Sequence, residues 1–387
     1  MHDLIVIGAG PAGSSAAITA RRAGAQVLLL ERGHFPRNKV CGEFVSAESL
    51  QLLSVLLQSG DLDLLERAPR IDRARIFSDG VTVTTRLTPP AASIARFDLD
   101  ADLWKAAGGC GVERRDRTSV QSITGTGPFT VATAAGETLV ARAVINATGR
   151  WSNLTAAARV NDMPERKWIG VKAHFADLNP SPTVDLYFFE GGYCGMQPVP
   201  LYGQPDDYRI NVCAMVRADV ASSLEGVFEQ NPELYKRSRS WSRLTDTVST
   251  APLFFSEAVP VDGAILLCGD AAGFVDPFVG DGISLALRSG ERLARTLLPF
   301  FRDRISLAQA TEAWRRTYRG NFVPVHRAAA RIRPIFLHLP RSLRRLVLHG
   351  LRLTPGLVAH LVRSTRCAGP SASFDSTADS RAASLFL

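Results

Sequence analysis

The stretch DLIVIGAGPAGSSAAITARRAGAQVLLLER, residues 3–32, decides how the rest of the chain is read. Leu4–Ile7 is a short apolar run, fit for a strand buried on both faces. Gly8, Gly10 and Gly13 follow at G-x-G-x-x-G spacing. The residues after them are small and helix-tolerant, and Gly24 stands where a helix C-cap belongs. Val27–Leu30 is a second apolar run, and it ends in Glu31. Strand, glycine turn, helix, strand and acid is the context that makes this glycine pattern a dinucleotide-binding unit. Gly8 permits the tight turn, Gly10 admits the backbone to a pyrophosphate, and Gly13 lets helix and strand close up. The helix N-terminus turns its amides and the positive end of its dipole toward the phosphates. Glu31 is placed to accept hydrogen bonds from a ribose hydroxyl, which argues against a 2′-phosphate there, although the cation Arg32 is adjacent.

The remaining composition bounds the answer. A chain of 387 residues, 46% apolar and 21% charged, is a globular protein with room for two or three domains. No apolar run reaches the roughly 18 residues of a membrane span. The first strand starts at once, which predicts no signal peptide. Six scattered cysteines without a C-x-x-C pair predict neither a disulfide framework nor a zinc site, and suit a reduced, cytoplasmic protein without metal.

After Glu31 comes a loop punctuated by Pro36 and Gly42, where Arg37 and Lys39 join Arg32 near the expected phosphates. Ser46 is placed to cap a helix reaching about Leu57. Asp79-Gly80, between the runs Arg75–Ser78 and Val81–Thr85, is a hairpin signal. A helix is expected from near Asp98 to Gly108. Strand-like runs around Val120, Phe129–Thr133 and Leu139–Ala141 precede a buried strand, Ala143–Thr148. From Trp168 to Ser256 the alternating, aromatic-rich runs WIGVKAHF, VDLYFFE, YRINVCAMV and PLFFSEA predict an antiparallel sheet, interrupted by a helical stretch near Val220–Leu244. Ala264–Cys268 returns to buried-strand character. A long helix follows from Gly282 to Phe301, with helical sequence to about Val362. The expected class is α/β. A dinucleotide-binding domain is built from residues 1–75, 96–165 and 256–300, and a substrate domain from 76–95 and 166–255. A helical region, 301–366, and a flexible Ser/Ala-rich tail, 367–387, complete it. Such an insertion places the pocket at the domain seam.

Three separated motifs coincide: GAGPAG at 8–13, Arg96 with Asp98 and Leu99 opening a helix, and GDAAGFVDPFVGDGISLALRSG at 269–290. Together they resemble the flavoproteins of the p-hydroxybenzoate hydroxylase fold. Lys39-Val40-Cys41-Gly42 and the run Asp276-Pro277 through Gly280, Gly282 and Ile283 resemble the geranylgeranyl reductase-related branch. The resemblance implies a Rossmann-type FAD-binding domain with an inserted antiparallel-sheet substrate domain and C-terminal helices, and FAD as cofactor. It implies that Asp270 binds the ribityl chain, that Arg96 reaches FAD from its loop and that the backbone of Val120 meets the adenine. The set expected to hold FAD is then Gly8, Gly10, Pro11, Ala12, Gly13, Glu31, Arg32, Arg37, Cys41, Gly42, Arg96, Val120, Gly149, Gly269, Asp270, Gly280, Gly282 and Ile283. The helix opening at Gly282 would aim its positive end at the flavin's N1 and C2 carbonyl, where charge accumulates on reduction.

Two departures from that pattern matter. The hydroxylase group has Asp-Gly after the third nucleotide-domain strand, whereas this chain has Ala147-Thr148-Gly149-Arg150. This puts direct reduction by NADPH in doubt, so the electron donor is expected to be a transient NAD(P)H or a separate reductase protein. Second, geranylgeranyl reductases carry aromatic-x-Trp-x-Phe-Pro where this chain reads Tyr193-Cys194-Gly195-Met196-Gln197-Pro198. Gly195 in place of the Trp implies a less obstructed pocket.

Cys41, Glu43 and Tyr193 are the candidate catalytic groups, with Phe44, Lys172, His174, Tyr193, Gln197 and Pro277 toward the substrate. Lys172 and His174 share one face of a strand because side chains alternate. Cys41 and Cys194 are a conceivable thiol pair. The activity implied is oxidation or reduction of a small lipophilic biosynthetic intermediate, of isoprenoid or polyketide type. An aromatic monooxygenase is the alternative, followed by a flavin-dependent halogenase, for which no halide-activating lysine can be matched, and a non-catalytic flavoprotein. Between Arg315 and Arg366 lie twelve arginines and no acid. This is either a basic helix packed on the body with a solvated charged face or a weak membrane-surface contact. No nucleic-acid-binding fold signature accompanies it.

Overall fold

A computed structural model of the chain describes residues 1–58, 63–150, 154, 167–177, 180–201, 204–253, 255 and 257–367. Two sheets organise it. In the first, five strands run Ile265–Leu267, Thr138–Asn146, His2–Ile7, Val27–Leu30 and Glu113–Arg115, each parallel to the next, with Val261–Asp262 antiparallel on the outer side of Ile265–Leu267. In chain order these parallel strands lie 3-2-1-4-5, the doubly wound arrangement, with the reversal beside His2–Ile7. The edge pair Val120–Thr124 and Phe129–Thr133 joins Thr138–Asn146 antiparallel. The two runs read separately at 139–141 and 143–148 are thus one continuous strand.

The apolar runs of the sequence become fully buried strands: Leu4, Ile5 and Val6 and Leu28–Leu30 are inaccessible to solvent. Helix Pro11–Arg22 is sandwiched between this sheet and helix Gly282–Phe301, and small residues set the spacing. A Cβ at Gly13 would stand 1.8 Å from the carbonyl oxygen of Gly8, and one at Gly290 would stand 2.0 Å from that of Ala12. Neither helix could carry a larger residue there without separating.

The second sheet runs Ser242–Arg243, Trp168–Ala176, Gln204–Arg217, Gly192–Leu201, Thr183–Phe189, Arg70–Ser78, Val81–Ser93 and Phe44–Val45, with Val248–Leu253 also on Trp168–Ala176. It is antiparallel except where Thr183–Phe189 meets Arg70–Ser78. The Asp79-Gly80 turn forms as expected, with both residues at positive φ (54° and 76°). The expected domain boundary at 75 needs correction. Arg70–Ser78 is one strand of the second sheet, and Phe44–Val45 also pairs into it, so the chain crosses earlier than its composition shows.

The outer face of this sheet packs Val171, Phe175, Cys194, Met196 and Val212 against two short helices, Leu224–Phe228 and Pro232–Ser238. Helices Leu307–Asn321, Val323–Leu337, Arg341–Leu353 and Pro355–Ser364 close the C-terminal side. Cys367, placed in the flexible tail by composition, is instead buried, and its N–H donates to Asp281 Oδ2 at 3.2 Å. The rest of that tail, 368–387, lies outside the described residues.

Candidate functional site

The glycine turn sits at the reversal of strand order, between Ile7 and Ala147. Gly8 has φ +98°, and a Cβ on it would lie 2.5 Å from the Ala147 carbonyl oxygen, so the turn accepts only glycine. Gly10 differs: its nearest neighbour is an Arg96 guanidinium nitrogen, 3.9 Å from the Cβ position. Pro11 is the first residue of the helix, and Pro11, Ala12 and Gly13 are buried. Among the described residues, nothing lies within 4 Å of a Cβ position at Gly42, Gly149 or Gly282. Open space above backbone amides at a helix N-terminus is a cradle for a pyrophosphate.

The charge around this cradle fits an anion. Lys39 is pushed down to about 8 by burial and by Arg37 and Arg96, against the pull of Glu31. Arg150, after Gly149, is lowered by burial, against the opposing charge of Asp270, and lies over the Phe274 ring at 4.3 Å. Arg96 opens helix Arg96–Gly109 rather than lying in a loop, and a bidentate contact with buried Asp100 at 2.7 Å fixes it. Asp270 follows Gly269 (φ +60°). Burial raises its carboxyl, opposed by Arg150, Arg96 and Lys39. Arg150, Arg96 and Lys39 converge on Asp270, and a dinucleotide diphosphate would add negative charge beside them.

Glu31 is buried. Its Oε2 accepts the Ala9 N–H at 3.0 Å and an Arg37 N–H at 2.9 Å, and its Oε1 accepts the Gly33 N–H at 2.9 Å. It therefore braces the glycine turn. Arg32 is exposed. The Thr118 N–H donates to the Glu31 carbonyl at 2.8 Å, which brings the segment leading to Val120 alongside; Val120 itself pairs with Thr133. Thr148 hydrogen-bonds Asn146 Oδ1 through its hydroxyl (2.6 Å) and its N–H (3.1 Å), closing the turn without a carboxylate.

The segment 276–283 forms the far wall. Gly280 has φ +71°, and a Cβ there would come within 3.3 Å of the Phe44 ring. Helix Gly282–Phe301 begins with Ile283 buried, Phe44 is buried and Pro277 is exposed. Asp276 is raised to about 6 by burial despite the Arg333 guanidinium at 2.6 Å. Asp281, between the glycines, is also raised by burial. It accepts the Ser46 hydroxyl at 2.8 Å and an Arg366 N–H at 3.3 Å. Ser46 thus precedes helix Ala47–Leu57 as expected but spends its side chain on Asp281 and Ser284 rather than on a cap.

The inner face of the second sheet completes the site. Lys172 pairs with Cys213, His174 with Asn211, Gly195 with Cys213 and Gln197 with Asn211, so these residues share one face together with Tyr193. Cys194 belongs to the opposite face, which removes it as a partner for Cys41; Cys213 takes that place. Glu43, held at φ +60° and inaccessible to solvent, meets this face. It is ion-paired to Lys172, lies 2.9 Å from His174 Nε2, and accepts the Arg96 backbone N–H at 2.9 Å. Burial would raise its carboxyl, but Lys172 and His174 prevail and hold it at about 2.

Glu43, one of the candidate catalytic groups, is therefore held as a fixed carboxylate between Lys172 and His174. Lys172 and His174 correspondingly hold the loop instead of reaching outward: Lys172 also donates to the Lys39 carbonyl, and His174 is lowered by burial. Asn211 Nδ2 donates to the Cys41 carbonyl at 3.0 Å, while its buried Oδ1 has no partner among the described residues. Gln197 donates to Ser93 Oγ at 2.6 Å. Cys213 is pushed up to about 12 by burial and by Cys41. Burial raises Tyr193 well above its ordinary value, with Asp276 adding to it. Its ring lies 5.5 Å from that of Phe188 and 6.2 Å from that of Phe278. A Cβ on Gly195 would meet Leu186 at 3.3 Å.

The sequence reading missed Arg150, Asn211, Cys213 and Asp281 as site residues. Arg150 was legible as a departure after Gly149. Asn211 and Cys213 needed the strand register, which no local pattern provides.

A doubly wound sheet with this cradle, facing an antiparallel sheet across a polar seam, defines a dinucleotide-binding flavoenzyme. Residues 1–320 match the FAD binding domain family, and the chain belongs to it. Its cofactor is FAD, which the residues above fit. The chain is 26% identical to the menaquinone reductase of Mycolicibacterium smegmatis over 88% of this chain and 86% of that protein. It is 29% identical to a digeranylgeranylglycerophospholipid reductase of Methanocella arvoryzae over 77% of each. In fold it is similar to a geranylgeranyl bacteriochlorophyll reductase-like protein of Thermoplasma acidophilum (TM-score 0.74, 17% identity, 94% and 95% covered). A flavin-dependent brominase is also similar (TM-score 0.73, 19% identity, 94% and 93% covered). Among the described residues no group of side chains is arranged to hold a metal ion, and no helix is long and apolar enough to cross a membrane.

Proposed function

We propose that this flavoenzyme reduces an activated double bond in a lipophilic biosynthetic intermediate of isoprenoid or polyketide type. When bound, FAD supplies hydride chemistry, and the protein supplies position and protons. The observation that carries the reading is the protonation of the seam. Tyr193 is buried and Cys213 half-buried, and both are raised, so both keep their protons at neutral pH. The carboxylate that faces them, Glu43, is locked by Lys172 and His174. Such a face can donate a proton, while its two carboxylates are tied to cations, Glu43 to Lys172 and Asp276 to Arg333, and are not free to ionise a phenol, as aromatic hydroxylation would ask. The aromatic wall of Phe188, Tyr193 and Phe278 suits an apolar substrate. The names of the reductase relatives point the same way.

Halogenation has less support, because the buried lysine of the seam is already tied to Glu43 and to the Lys39 carbonyl. With Thr148 bonded to Asn146 where the hydroxylases carry Asp, electrons come from a briefly bound NAD(P)H or from a separate reductase.

The test is anaerobic. Photoreduced protein is mixed with prenylated quinones and other isoprenoids carrying conjugated double bonds, and flavin reoxidation is followed with mass analysis of the product. A product still heavier by two hydrogens after its quinone ring has been reoxidised in air supports the reading. Reoxidation only in air, with one oxygen atom added to an aromatic substrate, overturns it in favour of the monooxygenase.

A further inference from the structure

Helix Arg341–Leu353 packs on the body through the side that carries Arg344, Leu348 and Leu351, and leaves a second row of leucines outside. Its buried residues are Arg344 and Leu348. Arg344 is held by Asp79 at 2.6 and 3.0 Å and donates to the Phe336 carbonyl at 3.2 Å. The leucines that an ordinary amphipathic helix would bury face outward: Leu343 is 45% exposed, Leu346 67% and Leu353 82%. They follow helical spacing along one stripe, with Gly350 between the last two. Leu357, 49% exposed, follows at the start of the next helix. Single exposed leucines are unremarkable, but an aligned row of them is not. Exposed Arg345 and Arg352 border the row, within a stretch that carries twelve arginines and no acid. A helix that simply showed a solvated basic face to water would have hidden these leucines.

We propose that this leucine stripe with its arginine border is a docking surface for an anionic lipid bilayer, on which the helix lies in the interface. Charge complementarity selects the occupant. A second copy of the chain would set arginines against arginines with no acid on either face to pair with them, whereas anionic headgroups match the border while acyl chains cover the leucines. The surface is continuous with the site. The segment after helix Pro355–Ser364 ends on the turn between Gly280 and Gly282, where Arg366 and Cys367 bond Asp281, and Arg366 also lies over the Phe44 ring at 5.1 Å. Lipid contact and the wall of the FAD site are thus joined by one short piece of chain.

The test is co-sedimentation of the FAD-loaded protein, without substrate, with vesicles of phosphatidylglycerol and phosphatidylcholine mixed, and of phosphatidylcholine alone, at low and high salt. The expectation is binding to the anionic vesicles that weakens with salt. Leu346→Ser and Leu353→Ser together should abolish it, and Arg345→Glu with Arg352→Glu should weaken it at least about five-fold for each cation lost. Leu244→Ser, at an exposed leucine elsewhere, should leave it unchanged. FAD content and gel-filtration volume verify that each variant is folded. Three results overturn the proposal: no sedimentation with anionic vesicles at low salt, sedimentation unaffected by the leucine changes, or a dimer that the leucine changes convert to monomer.

Discussion

Glu43→Gln tests whether the seam is held by charge. Gln has nearly the same volume and faces the same positive-φ cost, so the change removes the charge and leaves the Lys172 ammonium, 2% exposed, without a counter-ion. Truncating one partner of a buried pair costs about 3–5 kcal/mol. The carboxyl itself gives a second figure. Burial pushes it up, Lys172 and His174 bring it down to about 2 from an ordinary 4.5, and at about 1.4 kcal/mol per pKa unit this is roughly 3 kcal/mol. Since the folded value lies below the unfolded one, the contribution is complete above about pH 5 and is lost as pH falls through about 2. His174, lowered by burial, also disfavours the folded protein on acidification, while Asp276, raised to about 6, favours it. Asp276 is common to both proteins and cancels in their difference; the response of His174 changes with its partner and is measured by following its ring in each. Urea unfolding of wild type, Glu43→Gln, Lys172→Met and the double variant at pH 7 and pH 3 is the assay. The expected result is a loss near 3 kcal/mol at pH 7 that shrinks at pH 3, with the double variant less damaged than the two single losses added. A loss under about 1 kcal/mol at pH 7, or one of equal size at both pH values, would refute the argument.

Three further outcomes are expected. Gly10→Val should purify folded but colourless, since nothing but Arg96 crowds that Cβ in the protein itself while the side chain intrudes on the pyrophosphate; full FAD content by absorbance would contradict this. NADPH alone should reduce the flavin slowly, and Thr148→Asp should speed it; fast, saturable reduction of the unmodified protein in a stopped-flow trace would show that the turn bonded to Asn146 is no obstacle. Tyr193→Phe should lower turnover by about 100-fold or more with FAD still bound, the usual scale of a lost proton donor, whereas an unchanged kcat would move that role to Cys213 or Cys41.

The FAD domain was readable from local sequence because its requirements are local. A tight turn, a helix N-terminus and a buried strand each impose a residue type at a fixed offset, and residues 3–32 satisfy all of them. Alternation likewise put Lys172 and His174 on one face correctly. What alternation could not give was their partner. Glu43 lies 129 residues from Lys172 and 131 from His174, and only folding brings its carboxylate into a dry seam where it must stay ionised. The same holds for Cys213 against Cys41, chosen over Cys194 by a register in which one step moves a side chain to the other face. It holds too for helix Arg341–Leu353, whose pattern named an apolar side but not which side would be buried. The tertiary structure buried the side that carries Arg344, for which Asp79 at a distant hairpin turn is the partner, and left Leu343, Leu346 and Leu353 outside.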